Sequence, residues 1–173
     1  MKILIETTRL VIREINQSDR EGMFEMDSNP SVHRYIFNKP VVDILEIDDA
    51  IEYIQKQYIQ YGIGRWAIAD KVSNEMLGWC GIKYITEPLN GYLNIYDLGY
   101  RFKQKHWGKG YATEACNAII EYAKSNLETN KLTATVDPRN NGSIRVLEKL
   151  GFKFKETFDY DGTPSIWCEF DLK

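Results

Sequence analysis

A glycine pair running directly into an amphipathic helix, with extended segments on both sides, constrains this chain more than any other feature. The stretch is Lys105-His106-Trp107-Gly108-Lys109-Gly110-Tyr111-Ala112-Thr113-Glu114-Ala115. From Ala112 the apolar positions Ala115, Cys116, Ile119, Ile120 and Ala123 recur with helical spacing, and Glu121 and Lys124 fall outside the stripe. Upstream, 93–102 is a β-branched and aromatic run that reads as a strand, and 131–136 reads as a second one. Strand, glycine loop, helix and strand together predict a βαβ crossover. The first N–H groups of a helix lack intrahelical partners and carry the positive end of its dipole. Glycines at 108 and 110 let the backbone come close to a ligand there, so the loop reads as a cradle for a pyrophosphate, with Lys105 and Lys109 adding charge at its rim.

The glycine pair by itself also suits an ordinary tight turn. Two other nucleotide fingerprints do not fit: the chain has no Gly-x-x-x-x-Gly-Lys-Ser/Thr run and no Gly-x-Gly-x-x-Gly with an acidic residue about twenty positions on. Elsewhere, 9–14 alternates as a strand, 16–27 opens with the capping-type residues Asn16, Ser18 and Asp19, and 43–61 reads as a helix with Ile47, Ile51, Ile54 and Tyr58 on one stripe. Strands are expected near 66–69 and 76–85. A short helix carries Ile144, Leu147 and Leu150 inward, with Gly151 at a left-handed cap, and a final hairpin turns at Asp161-Gly162.

Composition bounds the function classes. At 173 residues, 43% hydrophobic and 27% charged, the chain has the size and make-up of one globular domain, 1–173. Its net charge of −3, with scattered lysines, supplies no basic stripe for nucleic acid. No apolar run is long enough for a bilayer or a signal-peptide core, so a cytoplasmic protein is expected, with no membrane partner. Cys80, Cys116 and Cys168 are widely spaced, and only His33 and His106 could join them, so they read as buried free thiols and no metal site is expected.

Four blocks in order resemble the GNAT superfamily of acyl-CoA-dependent N-acyltransferases. They are Thr8-Arg9-Leu10-Val11-Ile12-Arg13; Leu98-Gly99-Tyr100; Trp107 to Ala115; and Asn140 with Ser143, followed by Glu148-Lys149-Leu150-Gly151-Phe152. The first three are similar to the branch that contains the ribosomal-protein N-terminal acetyltransferases. The resemblance implies an α/β (α+β) fold: a mixed, mostly antiparallel sheet of about seven strands, about four flanking helices and a βαβ acyl-CoA-binding core. It also implies direct attack of an amine on the thioester of acetyl-CoA in a ternary complex. The backbone of Gly108, Lys109, Gly110, Tyr111 and Ala112 would then hold the pyrophosphate beside Lys105, and Leu98, Gly99 and Tyr100 would offer a strand edge to pantetheine. Asn140 would contact that arm and Ser143 would lie near the sulfur. Lys105 stands where relatives carry Arg or Gln. Leu147 occupies the position where many relatives carry a tyrosine that protonates the thiolate. Asn140 is equally a preferred N-cap, and Ser143 could bond within its own helix.

Asp97, one residue before Leu98-Gly99-Tyr100, is the leading base, and its alternative role is that of a solvated strand aspartate. Glu114 is the other carboxylate near the loop, where the helix dipole favours an acid for structural reasons. At pH 7 an α-amine of pKa about 7.7–8.0 is on the order of one-tenth neutral, and a lysine near about 10.4 is less than roughly one part in a thousand neutral. With one carboxylate and no tyrosine acid, the chain suits an N-terminal α-amine better than a lysine. A small amine (polyamine, aminoglycoside or amino acid) and a non-catalytic acyl-CoA-binding module remain open, as do monomer and homodimer. Tyr35, Phe37, Trp66, Trp79 and Tyr84 are candidates for an acceptor slot, with Trp66 and Trp79 expected in the core.

Overall fold

A computed structural model describes residues 3–173. The elements run β1 (Ile3–Glu6), β2 (Leu10–Glu14), α1 (Arg20–Asp27), α2 (Pro30–His33), α3 (Leu45–Tyr61), β3 (Arg65–Asp70), β4 (Met76–Ile85), β5 (Ile95–Phe102), α4 (Tyr111–Asn126), β6 (Lys131–Val136), α5 (Asn141–Leu150), β7 (Lys153–Tyr160) and β8 (Thr163–Asp171). The strands form one eight-stranded sheet in the order β1-β2-β3-β4-β5-β6-β8-β7. Every neighbouring pair is antiparallel except β5–β6, the parallel join of the crossover.

The mixed sheet and the βαβ unit stand as the sequence implied, with eight strands where about seven were expected and five α-helices where about four were. The additional strand is β1, four residues too short for its pattern to register, which is ordered by pairing with β2. The additional helix is α2, a single turn opened by Pro30 and capped by Asn29, whose side chain accepts from Ser31 N at 2.9 Å. At 16–27 the capping residues act one turn early. Asn16 caps a 3-10 turn over Gln17–Asp19, and the Asp19 carboxylate is taken by the Arg13 guanidinium at 2.6 and 2.7 Å.

Both faces of the sheet are covered. On one face the stripe Ala115, Cys116, Ile119, Ile120 and Ala123 of α4 packs with Leu147 and Leu150 of α5 against Leu10, Ile12, Ile68, Leu98 and Leu132. On the other, Met23 of α1 and Ile47, Ile51 and Ile54 of α3 pack against Ile15, Ala67 and Met76. At about 25 cal/mol per Å² of apolar surface removed from water, these layers are the main stabilising contribution to the fold.

The arrangement opens the sheet at one point. β5 pairs with β4 along eight positions, and β6 pairs with β8 along six, but β5 and β6 are in register only at Asp97 opposite Thr133. Beyond that point each strand follows its outer neighbour, and the segment from Leu98 to Phe102 keeps an edge that β6 does not pair.

Candidate active site

The glycine loop leaves the start of α4 uncapped. Gly108 (φ +72°) and Gly110 (φ +81°) both lie in the left-handed region, where a side chain would be strained. Gly110 is the N-cap of α4 and no side chain caps it, while Glu114 N donates back to Gly110 O at 3.1 Å. The amide N–H groups of Tyr111, Ala112 and Thr113 thus open the helix without intrahelical acceptors, at the positive end of its dipole. Trp107 anchors the start of the loop by donating from Nε1 to Phe102 O at 2.8 Å.

A guanidinium from the far end of the chain fixes the loop. Arg9 donates to Lys109 O at 2.9 Å and to Glu114 Oε2 at 2.7 Å, and it lies 4.4 Å from the centre of the Tyr111 ring. Glu114 also accepts from Arg9 N at 3.0 Å and Thr7 Oγ1 at 2.6 Å. Glu114 therefore ties the β1–β2 turn to α4, and these hydrogen bonds hold its carboxyl below the usual range against the opposing effect of burial. Lys105 is not free at the rim. Its ammonium bridges Glu25 at 2.9 Å and Glu75 at 2.8 Å. Arg9, seen in the sequence only as part of a resemblance block, is the cation that touches the loop. Its link spans a hundred residues, beyond any local pattern.

Between β5 and β6 the splay leaves a cavity of about 190 Å³, lined by Asp97, Leu98, Gly99, Tyr100 and Arg101 of β5, by Ala134 and Thr135 of β6, and by Ser143 and Leu147 of α5. Arg65 and Trp79 close one side of it with Ile36. Strand alternation puts Asp97, Gly99 and Arg101 on one face and Leu98 and Tyr100 on the other. Asp97 is 9% exposed, and its Oδ2 accepts from Arg65 Nη2 at 2.5 Å. Arg65 also donates to Asp97 O at 2.7 Å and Gly81 O at 2.6 Å. Its guanidinium fills the space over Gly99, where a Cβ would come within 2.6 Å of Nη2. Burial pushes the Asp97 carboxyl up, and the Arg65 charge and hydrogen bond pull it back only in part. Among the described residues Asp97 Oδ1 has no hydrogen-bond partner. Asp97 is thus a cleft carboxylate rather than a solvated one.

At the other wall Tyr100 Oη lies 2.8 Å from Ser143 Oγ and donates to Ser143 O at 3.1 Å. Burial pushes the Tyr100 phenol far up, so it stays a hydroxyl. Asn140 caps α5, its Oδ1 accepting from Ser143 N at 3.1 Å. Leu147 is buried against the cavity.

The five aromatic candidates do not form one slot. Trp66 is in the core as expected, 1% exposed. Trp79, also expected in the core, is half-buried: it packs against the core layer under α1 and α3 and also lines the cavity, where the guanidinium groups of Arg65 and Arg101 lie 5.4 and 5.1 Å from its ring centre. Phe37 meets Tyr160 edge-on at 5.7 Å, Tyr84 packs between Tyr61 and Tyr96, and Tyr35 lies under the Arg34 guanidinium. The three cysteines are free and buried, with Cys80 and Cys116 Sγ 3.4 Å apart. Among the described residues no group of three or more His, Cys, Asp or Glu is placed to hold a metal ion, and no helix is long and apolar enough to cross a membrane.

Known proteins share both the sequence and the arrangement. The family described as "Acetyltransferase (GNAT) domain" matches residues 9–153. The N-acetyltransferase p20 of Bacillus licheniformis is 34% identical over 148 residues, 85% of this chain and 80% of that protein. Among solved structures, RimL, a ribosomal L7/L12 α-N-protein acetyltransferase in complex with coenzyme A, superposes with a TM-score of 0.82 at 16% identity, covering 98% of both chains. A spermidine N-acetyltransferase from Vibrio cholerae in complex with CoA and spermine superposes at 0.74 with 17% identity, covering 96% of this chain and 97% of that one. At those identities the two structures share the fold. Family match and relatives together show that this chain belongs to the GNAT acetyltransferase family and is an acyltransferase of that type.

Proposed function

We propose that the protein transfers an acetyl group from acetyl-CoA to the N-terminal α-amine of a peptide or protein, by direct attack in a ternary complex. The observation that carries this reading is the placement of Asp97, with one carboxylate oxygen unengaged, in the same cleft as the unpaired edge of β5 and the Tyr100–Ser143 hydroxyl pair.

The residues present fit acetyl-CoA. The uncapped start of α4 matches a pyrophosphate, and the β5 edge from Leu98 to Phe102 can take a peptide-like arm by strand addition. The amide nitrogen of Asn140, free because only its oxygen serves the cap, can reach toward that arm. Acetyl-CoA supplies an activated acyl carbon and a thiolate leaving group. As the C–N bond forms and the C–S bond breaks, Asp97 Oδ1 takes the amine proton and Arg65 holds the resulting carboxyl in place. The Ser143 hydroxyl, held by Tyr100 Oη at 2.8 Å, donates a hydrogen bond toward the developing negative charge, in the role that Leu147 cannot fill.

Two features favour an α-amine. A single carboxylate pushed up by burial is an adequate acceptor for an amine already on the order of one-tenth neutral at pH 7, and a poor one for a lysine. A polyamine is best held by several free carboxylates, yet among the described residues Asp97 is the one acid in the cavity lining and is paired with Arg65, and Asp27, buried behind the wall, is paired with Arg101 at 2.7 Å. Thiol release from acetyl-CoA tests the acceptor with a peptide bearing a free N-terminus, the same peptide N-blocked but carrying a lysine, and spermidine. Release with the free N-terminus alone is expected. Release with spermidine alone would move the function to small-amine acetylation.

Arg9 gives a separate test of the loop. Arg9→Met removes the hydrogen bond to Lys109 O and frees Glu114, so the loop samples other conformations before binding. The expected result is a rise of about tenfold in KM for acetyl-CoA with kcat within about threefold, measured by steady-state kinetics.

A further inference from the structure

We infer that the acceptor carries a carboxylate near its amine, and that Arg101 is the residue that reads it. This rests on the acceptor reading given above and narrows it to a substrate class.

Arg101 lines the same cavity as Asp97, on the same face of β5 and four residues further along. It is held rigidly. Trp79, its partner across the β4–β5 pairing, packs against the guanidinium, and Asp27 Oδ1 accepts from Arg101 Nη1 at 2.7 Å. Asp27 and His33, which stand behind it, are 5% and 6% exposed. Among the described residues Arg101 donates only through Nη1. Its Nε is buried without a partner, and Nη2 makes no hydrogen bond. With Nη1 taken by Asp27 and Nε buried, Nη2 is the charged donor left open to one oxygen of a carboxylate.

Charge around the cleft points the same way. Arg65, Arg101 and Lys83, the last opposite Asp97 across β4–β5, outnumber the two carboxylates, and Asp27 is further shared with His33 at 3.4 Å. A second cation on the acceptor would meet net positive charge here, and an anion would meet attraction in a site with low-dielectric walls.

Geometry sets the spacing. The guanidinium groups of Arg65 and Arg101 each lie within 5.4 Å of the Trp79 ring centre, and Arg65 touches Asp97. Those distances set only an upper limit, but Asp97 and Arg101 stand four residues apart on β5, roughly 13 Å between Cα atoms at about 3.3 Å per residue, so an anion at Arg101 is on the order of 10 Å from an amine at Asp97, which an extended chain covers in about two or three residues. Either an acidic side chain at the second or third position of a peptide or the C-terminal carboxylate of a very short peptide satisfies this.

The test compares kcat/KM for amidated pentapeptides that differ only at the second and third positions (Glu, Gln or Lys), for a free-acid tripeptide against its amide, and for spermidine. A preference of about tenfold or more for Glu over Gln, or for the free acid over the amide, is expected, and which of the two appears identifies the source of the carboxylate. In Arg101→Gln the ratio should fall to about one through KM for the acceptor, with KM for acetyl-CoA unmoved. Because that change leaves the Asp27 carboxylate without its cation, Asp27→Asn/Arg101→Gln serves as the folded counterpart, checked by thermal unfolding, and Arg101→Lys should keep part of the preference. Equal rates for Glu, Gln and Lys peptides together with equal rates for the free-acid tripeptide and its amide, or a preference retained in both glutamine variants, would overturn the role of Arg101 while leaving the N-terminal reading intact. Acetylation of spermidine alone, or of no acceptor, would overturn both.

Discussion

Asp97→Asn is expected to lower kcat by about 10²–10⁴ while leaving acetyl-CoA binding within about twofold, as measured by steady-state kinetics beside equilibrium titration of coenzyme A. The amide oxygen can still accept from Arg65, so the wall of the cleft is kept while the proton acceptor is removed. The pH profile supplies the sign. Burial disfavours the charged carboxylate and Arg65 restores it only in part, so Asp97 protonates at a higher pH than an exposed aspartate near about 3.9. A base must be ionised to act. The kcat of the native protein should therefore fall as pH drops through that raised value, and the fall should disappear in Asp97→Asn. A loss of less than threefold would place proton acceptance on water rather than on this carboxylate.

Arg65→Met is expected to destabilise the protein by about 3–5 kcal/mol, because it strands a buried carboxylate and removes the donor from two carbonyls. The side chains of the pair are only 15% and 12% exposed, so solvent screens the loss little. For a chain of this size the change lowers the thermal midpoint by on the order of 10 °C in a calorimetric scan. Arg65→Met/Asp97→Leu should recover most of that stability while remaining inactive, since two apolar groups of similar volume leave no unpaired charge. If the double variant melts as low as the single one, the deficit comes from the packing of Arg65 over Gly99 and Trp79 rather than from the orphaned charge. In either case the residue that stabilises the cleft also holds the candidate base, so kcat and stability are coupled at this position.

The extent to which the cleft could be read in advance follows from the range of each interaction. The bounds of β4 and β6 coincide with the apolar runs at 76–85 and 131–136, because each strand's burial follows its own pattern. The stripe of α4 and the left-handed cap at Gly151 (φ +89°) were equally local. Asn140 shows the limit of local reading. Its role as a cap is visible in its hydrogen bond to Ser143 N, and any contact with a cofactor rests on the nitrogen that the cap leaves free. Lys105 shows a different failure: a lysine beside a glycine loop looks available until the fold brings up Glu25 and Glu75, which are eighty and thirty positions away.

The sequence by itself determined most of the strands and helices, the crossover, the glycine loop and the place of Asp97 on the strand beside it, because helix and strand periodicity and glycine conformation act over a few residues; the mixed sheet was implied only by the family resemblance. Only the tertiary structure decided that β5 and β6 part after Asp97 and Thr133, that Arg9 clamps the loop, and that Arg65 neutralises Asp97. It also decided that Trp79, packed on the core layer under α1 and α3, meets two arginines at the cavity wall. Each of these joins residues that are distant in the chain, and the partner of a buried charge is chosen by which opposite charge the packed layers bring within hydrogen-bonding distance, a choice that no local pattern encodes.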